Sequence, residues 1–329
     1  MNLHGRIFDI IAVLVLTLGG AAHADAGANV VGFLGIADQP SHTADVAALR
    51  RGLADLGYVD GQTIVIEERY ADGGMERLQV LLGDLLAGDA SVVVVPGLAA
   101  ALAVLRRAPD MPVVAVGLPS TVVYPDLFAS LQRPGGSVTG FSHFGEDLAV
   151  KRVELLRETI PGLSTVAILH NSADPLYRAW GEKTEDAAIQ QGLKTVRIGL
   201  ESADVPDLTV ALESAAGRGA AALIVVRDFM THTLRNDIVR VANVLNMPVM
   251  SEQRVFVGAG GLMSYGASFP DLFRRAATYV DAILRGSSPS EMPIQLATEF
   301  ELVVNLTTAE QLGIAIPPSI LLRANQLIH

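Results

Sequence analysis

Short apolar runs recur along the chain, each followed by a segment whose apolar residues return at helical spacing. Val30 to Gly35 predicts a strand, and Thr43 to Leu56 the helix after it. Strands at Ile64 to Glu67 and Val92 to Val95 follow, with a helix over Met75 to Leu86 between them, and Met111-Pro112-Val113-Val114 opens a fourth strand. The second half repeats the order. Strands are predicted at Thr165 to Leu169, Thr195 to Ile198 and Leu223 to Val226, with helices at Leu176 to Gln191 and Val205 to Ala216. Met247-Pro248-Val249-Met250 then answers Met111 to Val114. Turn residues mark the joints, Gly57, Asp60 and Gly61 in one half and Gly192 in the other. Val30 corresponds to Thr165 and Pro112 to Pro248, a nearly constant offset, so one β-α-β-α-β-α-β unit is expected twice. Unbroken rather than alternating apolar strands belong to parallel sheets covered by helices on both faces. The expected fold class is therefore α/β, with two doubly wound parallel-sheet lobes. Ligands of such sheets bind beyond the carboxyl ends of the strands.

The first residues change this picture only by subtraction. Arg6, the apolar run Ile10 to Leu18, Gly19-Gly20 and the A-x-A pattern Ala22-His23-Ala24 form a secretory signal cut after Ala24. The run is shorter than the roughly 20 residues a membrane-spanning helix needs. A periplasmic protein is expected. The net charge is −11, and losing Arg6 with Asp9 leaves it unchanged, which argues against nucleic acid as a partner. There is no cysteine, so disulfides, thiolate nucleophiles, cysteine-held metals and a lipidated cysteine anchor are excluded.

The strand-end segments carry the candidate chemistry. They are Ala37-Asp38-Gln39-Pro40, Pro96-Gly97-Leu98-Ala99 and Leu118-Pro119-Ser120-Thr121 in the first half. In the second they are His170 to Pro175, Arg227-Asp228-Phe229-Met230 and Ser251-Glu252. Small residues such as Gly97 let an anion approach a helix N-terminus. Asp228 or Asp38 suits an ammonium group, and Phe229, Met230 and Tyr265 suit an apolar side chain. The alternative for each polar residue is an ordinary helix cap. No metalloprotease motif, nucleophile elbow, dinucleotide fingerprint or phosphate loop is present, so no catalytic residue, metal or cofactor is expected.

From about Val30 to the C-terminus the chain resembles the ABC-transporter substrate-binding proteins typified by tryptophan and tyrosine binders. The likeness is carried by Gly52 to Tyr58 with Gly61-Gln62, Arg133 to Gly140, Lys151 to Leu156, Gly260 to Gly266, Phe300 to Leu306, and Ile316-Pro317-Pro318-Ser319. The resemblance implies a type I periplasmic-binding fold whose chain crosses between lobes near 139–142, 255–260 and 293–299. The expected division is a signal at 1–24, lobes at 25–140 and 141–258, and a return segment at 259–329. It also implies a monomer that binds a small amino-acid-like or carboxylate ligand and delivers it to an inner-membrane ABC permease. The alternatives are a periplasmic sensing subunit or an enzyme on the same scaffold. The expected ligand-binding residues are Asp38, Gln39, Gly97, Leu98, Ser120, Thr121, Ser142, Asn171, Asp228, Phe229 and Tyr265. Thr121-Val122-Val123 stands where relatives often carry Asp-Pro-Val, a departure that changes the first-lobe wall.

Overall fold

A computed structural model describes residues 28–120 and 127–329. The segment expected to be a signal and Thr121 lie outside the described residues.

The first half runs β1 (Asn29–Gly35), α1 (Gln39–Asp55), β2 (Ile64–Tyr70), α2 (Met75–Ala87), β3 (Val92–Pro96), α3 (Leu98–Arg107), β4 (Val113–Leu118) and β5 (Val138–Ser142). The second runs α4 (Ala149–Thr159), β6 (Thr165–Asn171), α5 (Pro175–Gln190), β7 (Lys194–Leu200), α6 (Val205–Gly217), β8 (Leu223–Val225), α7 (Phe229–Thr233), α8 (Arg235–Val244), β9 (Val249–Ser251), α9 (Arg254–Gly258) and β10 (Met263–Ala267). The tail adds α10 (Phe269–Leu284), β11 (Gln295–Leu296), β12 (Phe300–Asn305), α11 (Leu306–Gln311), α12 (Pro318–Arg323) and β13 (Gln326–Ile328). Helix α1 starts earlier than its periodicity suggests because Pro40 occupies its first turn, where a missing N–H costs nothing.

Among the described residues the strands form two sheets, ordered β2-β1-β3-β4-β5-β11 and β7-β6-β8-β9-β10-β12-β13. All neighbours are parallel except β10 and β12. Each sheet thus contains the same doubly wound core order, and the repeat read from the sequence is structural. In the inner strands consecutive residues point to opposite, equally covered faces, which is why those runs are apolar throughout. Val92 and Val94 pack with Val46, Leu49 and Phe273 on one face, while Val93 and Val95 pack with Leu78, Leu82 and Val104 on the other. Gly52 lets α1 and α10 close on each other: a Cβ there would stand 2.3 Å from the Arg274 carbonyl oxygen.

The chain leaves the first sheet after β5, returns to it between β10 and α10, and leaves again after β11. The return expected at 255–260 therefore falls later. Gly258 ends α9, which packs on the second sheet, and Met263–Ala267 still pairs there with β9 and β12. At the first crossing a buried cluster ties the lobes. Glu252 lies 3.5 Å from Arg152 and 3.6 Å from His143, and all three are buried. His143 Nδ1 sits 2.9 Å from the Leu118 carbonyl oxygen of the first lobe. Burial alone would push the Glu252 carboxyl up, but His143 and Arg152 outweigh it and hold the group down at about 2.

Candidate ligand-binding cleft

The carboxyl ends of the two strand sets face each other across a cavity of about 320 Å³. That volume lies at the lower end of the range for small-molecule sites. Ile36 and Ala37 enter from the end of β1, and Pro96 to Ala99 from the β3–α3 joint. Arg227, Asp228 and Phe229 face them from the β8–α7 joint, with Gln253 and Arg254 after β9. Phe269 completes the wall from the start of α10, just past the return crossing.

Two features give this cleft an anion-seeking side. Gly97 has φ 85 and ψ 174, a backbone conformation open essentially to glycine alone, and no side chain caps α3. The first amides of α3 are left open at the positive end of the helix dipole. Arg227 reaches across from the second lobe to the same place. A Cβ on Gly117 or Gly97 would stand 3.2 or 3.6 Å from its guanidinium nitrogen. Its guanidinium carbon lies 4.8 Å from the Phe269 ring centroid, and no hydrogen bond or ion pair engages it among the described residues. A carboxylate or similar anion fits between this cation and the α3 amides.

Of the residues expected from sequence, Gly97, Leu98, Asp228 and Phe229 line the cavity together. Asp228 already accepts from the Thr231 backbone N–H at 2.7 Å and from Asn171 Nδ2 at 2.6 Å, and it forms a capping box with Thr231. Asn171 acts on Asp228 from behind and does not itself line the cavity. Asp38 stands outside the cavity lining, where its carboxylate accepts from Ser41 and pairs with Arg235 of the second lobe at 3.4 Å. Burial opposes its ionisation, yet the Ser41 hydrogen bond and Arg235 hold its carboxyl below the usual range. Gln39 is exposed on the first turn of α1, away from the cavity. Ser120 donates to Asp147 at 2.9 Å, and Lys183 of α5 meets the same carboxylate at 2.6 Å, so this serine belongs to an interlobe tie. Ser142 is buried at the end of β5. Tyr265 points away from the cavity lining into packing with Phe300, ring centroids 6.4 Å apart, because β10 continues inside the second sheet.

Sequence reasoning gave no role to Arg227, Phe269, His42, Asp45, His232 or Glu301, all of which line the cavity. Arg227 carried a signal, since it opens a strand-end segment. Phe269 carried none, because its place depends on where the crossing falls.

Among the described residues, no helix is long and apolar enough to cross a membrane, and no His, Cys, Asp and Glu cluster has metal-holding geometry. Comparison with known proteins gives consistent relatives. A tyrosine-binding protein of Clostridioides difficile strain R20291 is 22% identical over 283 residues, 86% of this chain and 80% of that protein. A conserved domain protein from Vibrio cholerae superposes with a TM-score of 0.81 at 25% identity, covering 92% of this chain and all of that one. The ABC domain of a Streptococcus pneumoniae protein in complex with L-Trp also gives 0.81, at 24% identity and with 92% and 100% of the two chains covered. These likenesses bear out the two-lobe periplasmic-binding fold. The model of the family described as ABC transporter substrate binding protein matches residues 30–328, and the chain belongs to that family.

Proposed function

We propose that the chain is the extracytoplasmic solute receptor of an ABC importer. In this reading residues 1–24 are removed on secretion, and the mature monomer captures a small amino-acid-like or carboxylate molecule between its lobes. It hands that molecule, chemically unchanged, to an inner-membrane permease. The observation that carries the ligand class is the guanidinium of Arg227, without a direct hydrogen bond or ion pair among the described residues, facing the uncapped N-terminus of α3 across the cleft. A cation left unpaired on a protein wall is satisfied by an anion that comes and goes. Phe229, Phe269 and Tyr177 supply apolar surface beside it. The L-Trp complex of one relative and the tyrosine-binding name of another support an amino-acid cargo.

Closure over the ligand follows from the crossings, where few residues need to rotate. The Asp38–Arg235 pair and the Ser120–Asp147–Lys183 tie are contacts between lobes that an open form would break. The test is a thermal-shift screen of Asp25 to His329 against amino acids, aromatic acids and short carboxylates. A ligand at 100 times its dissociation constant stabilises the folded state by about 2.7 kcal/mol. Hits confined to molecules with an anionic group agree with the reading. A preference for uncharged sugars or polyols contradicts it.

A further inference from the structure

With no hydrogen bond or ion pair to Arg227 among the described residues, packing decides where its guanidinium points. Its charge acts on Asp45 and Glu252, but neither carboxylate forms an ion pair with it. A long side chain held only by packing must be ordered when a ligand binds, and affinity falls by that cost unless the empty protein has already ordered it. The packing comes from the other lobe. Phe269 opens α10, where Pro270 fixes the backbone of the first turn. The guanidinium carbon of Arg227 stands 4.8 Å from the centroid of its ring. The same ring lies against β4 at Gly117, where a Cβ would stand 3.0 Å from Phe269 Cε1 and 3.2 Å from an Arg227 guanidinium nitrogen. Gly117 has φ 93, and the β4–β5 register shifts between Val116 and Leu118. This irregularity carries no side chain, and the ring and the guanidinium share the slot that it leaves.

Phe269 is in turn fixed from the first crossing. Its ring centroid lies 6.3 Å from that of His143, which packs at 5.7 Å on Trp180 of α5. The imidazole is tied to the Leu118 carbonyl oxygen at 2.9 Å, and Leu118 directly follows Gly117. A continuous stack thus runs from Trp180 of the second lobe through His143 at the crossing and Phe269 of the first lobe to Arg227 in the cleft.

We infer that Phe269 is the positioning residue of the anion subsite. Seated in the slot at Gly117 and held by His143, its ring aims the Arg227 guanidinium at the α3 amides before a ligand arrives. This rests on the solute-binding reading and adds how its anchor is set. The face of an aromatic ring attracts a cation, whereas an aliphatic side chain of similar bulk does not. With leucine in place of Phe269 the guanidinium samples several rotamers, and each anion that binds must order it afresh.

The test is a double-mutant cycle on Asp25 to His329, read by titration calorimetry with L-tyrosine as the probe. Phe269→Leu is expected to weaken L-tyrosine by about 3- to 30-fold, the loss that a cation–π contact of this exposure supports. In the Arg227→Met background the same change is expected to cost less than about twofold, because the side chain that the ring orients is gone. Equal losses in both backgrounds would make Phe269 an ordinary wall contact and overturn the proposal, as would an unchanged affinity in the first. A ligand-free measurement accompanies the cycle. In nitrogen-edited proton NMR spectra of the empty protein, the Arg227 Nε–H resonance is assigned by its loss in Arg227→Met. It is expected upfield, displaced by the ring current of Phe269, and is expected to return to the position of exposed arginines in Phe269→Leu. A resonance that is the same in both proteins overturns the proposal whether or not L-tyrosine binds. If L-tyrosine does not bind wild type, the amino-acid cargo fails for this probe, and the NMR comparison decides the positioning role by itself.

Discussion

Replacing Arg227 with methionine separates binding from folding. The guanidinium makes no direct ion pair among the described residues, and its charge acts on the buried Asp45 and Glu252 carboxyls only as a lesser cause beside their nearer partners. What the empty protein loses is the stacking over Phe269, worth about 0.5–2 kcal/mol for a half-buried cation–π contact. A methionine thioether packed on the same ring recovers part of this. The liganded protein loses more. A hydrogen bond to a charged group contributes about 1.5–3 kcal/mol. At about 1.4 kcal/mol per decade, Arg227→Met should weaken an anionic ligand about 10- to 150-fold. Arg227→Lys should fall between, since an ammonium keeps the charge without the planar fork. Calorimetric titration measures the affinity, and urea unfolding of the empty proteins measures the stability. Affinity within threefold of wild type for Arg227→Met would refute the anion anchor. A large stability loss with unchanged affinity would make Arg227 a packing residue.

Three other substitutions probe the frame around the cleft. Gly97→Ala forces a side chain into φ 85, ψ 174 and should destabilise the first lobe by about 1–3 kcal/mol, read by urea unfolding, while weakening ligand binding. Glu252→Gln removes the carboxylate that offsets the buried Arg152 charge, which keeps its bonds to the Tyr265 and Gly145 carbonyls, and should cost up to about 3–5 kcal/mol by the same assay; a loss below 1 kcal/mol would show the cluster to be incidental. His232 gives a pH dependence of defined sign. Its folded pKa of about 4 lies below the ordinary 6.5, so the unfolded chain binds the extra proton between these values. Its contribution is complete above 6.5 and lost as pH falls towards 4, and His232→Gln should flatten that part of the melting-temperature profile relative to wild type.

The fold was legible because the inner strands are covered on both faces. Val92 to Val95 has no polar alternative at any position, and the Met-Pro-Val echo marked the duplicated unit. The cleft was legible where it depends on one local joint. Gly97 and Leu98 open α3 beside β3, and Asp228 and Phe229 open α7 beside β8, so position along the chain sufficed. It failed where geometry is set by partners distant in sequence. Asp228 reads as a free carboxylate until Asn171 is seen to occupy it. Tyr265 reads as a cleft residue only if the crossing precedes β10, and the pairing of β10 with β12 shows that it follows. His42 and Asp45 sit one turn apart on an apolar helix face, a spacing shared by ordinary buried pairs.

The central claim is reversible capture of a small anion-bearing solute in this cleft. Native mass spectrometry of wild type and Arg227→Met, both released gently from cells producing them, tests it most directly, with the released compound then identified. The account predicts a one-to-one noncovalent adduct on wild type, released as an unmodified small molecule bearing an anionic group, and a much lower occupancy on Arg227→Met. An adduct of equal occupancy on both proteins, or a released compound lacking an anionic group, would contradict it.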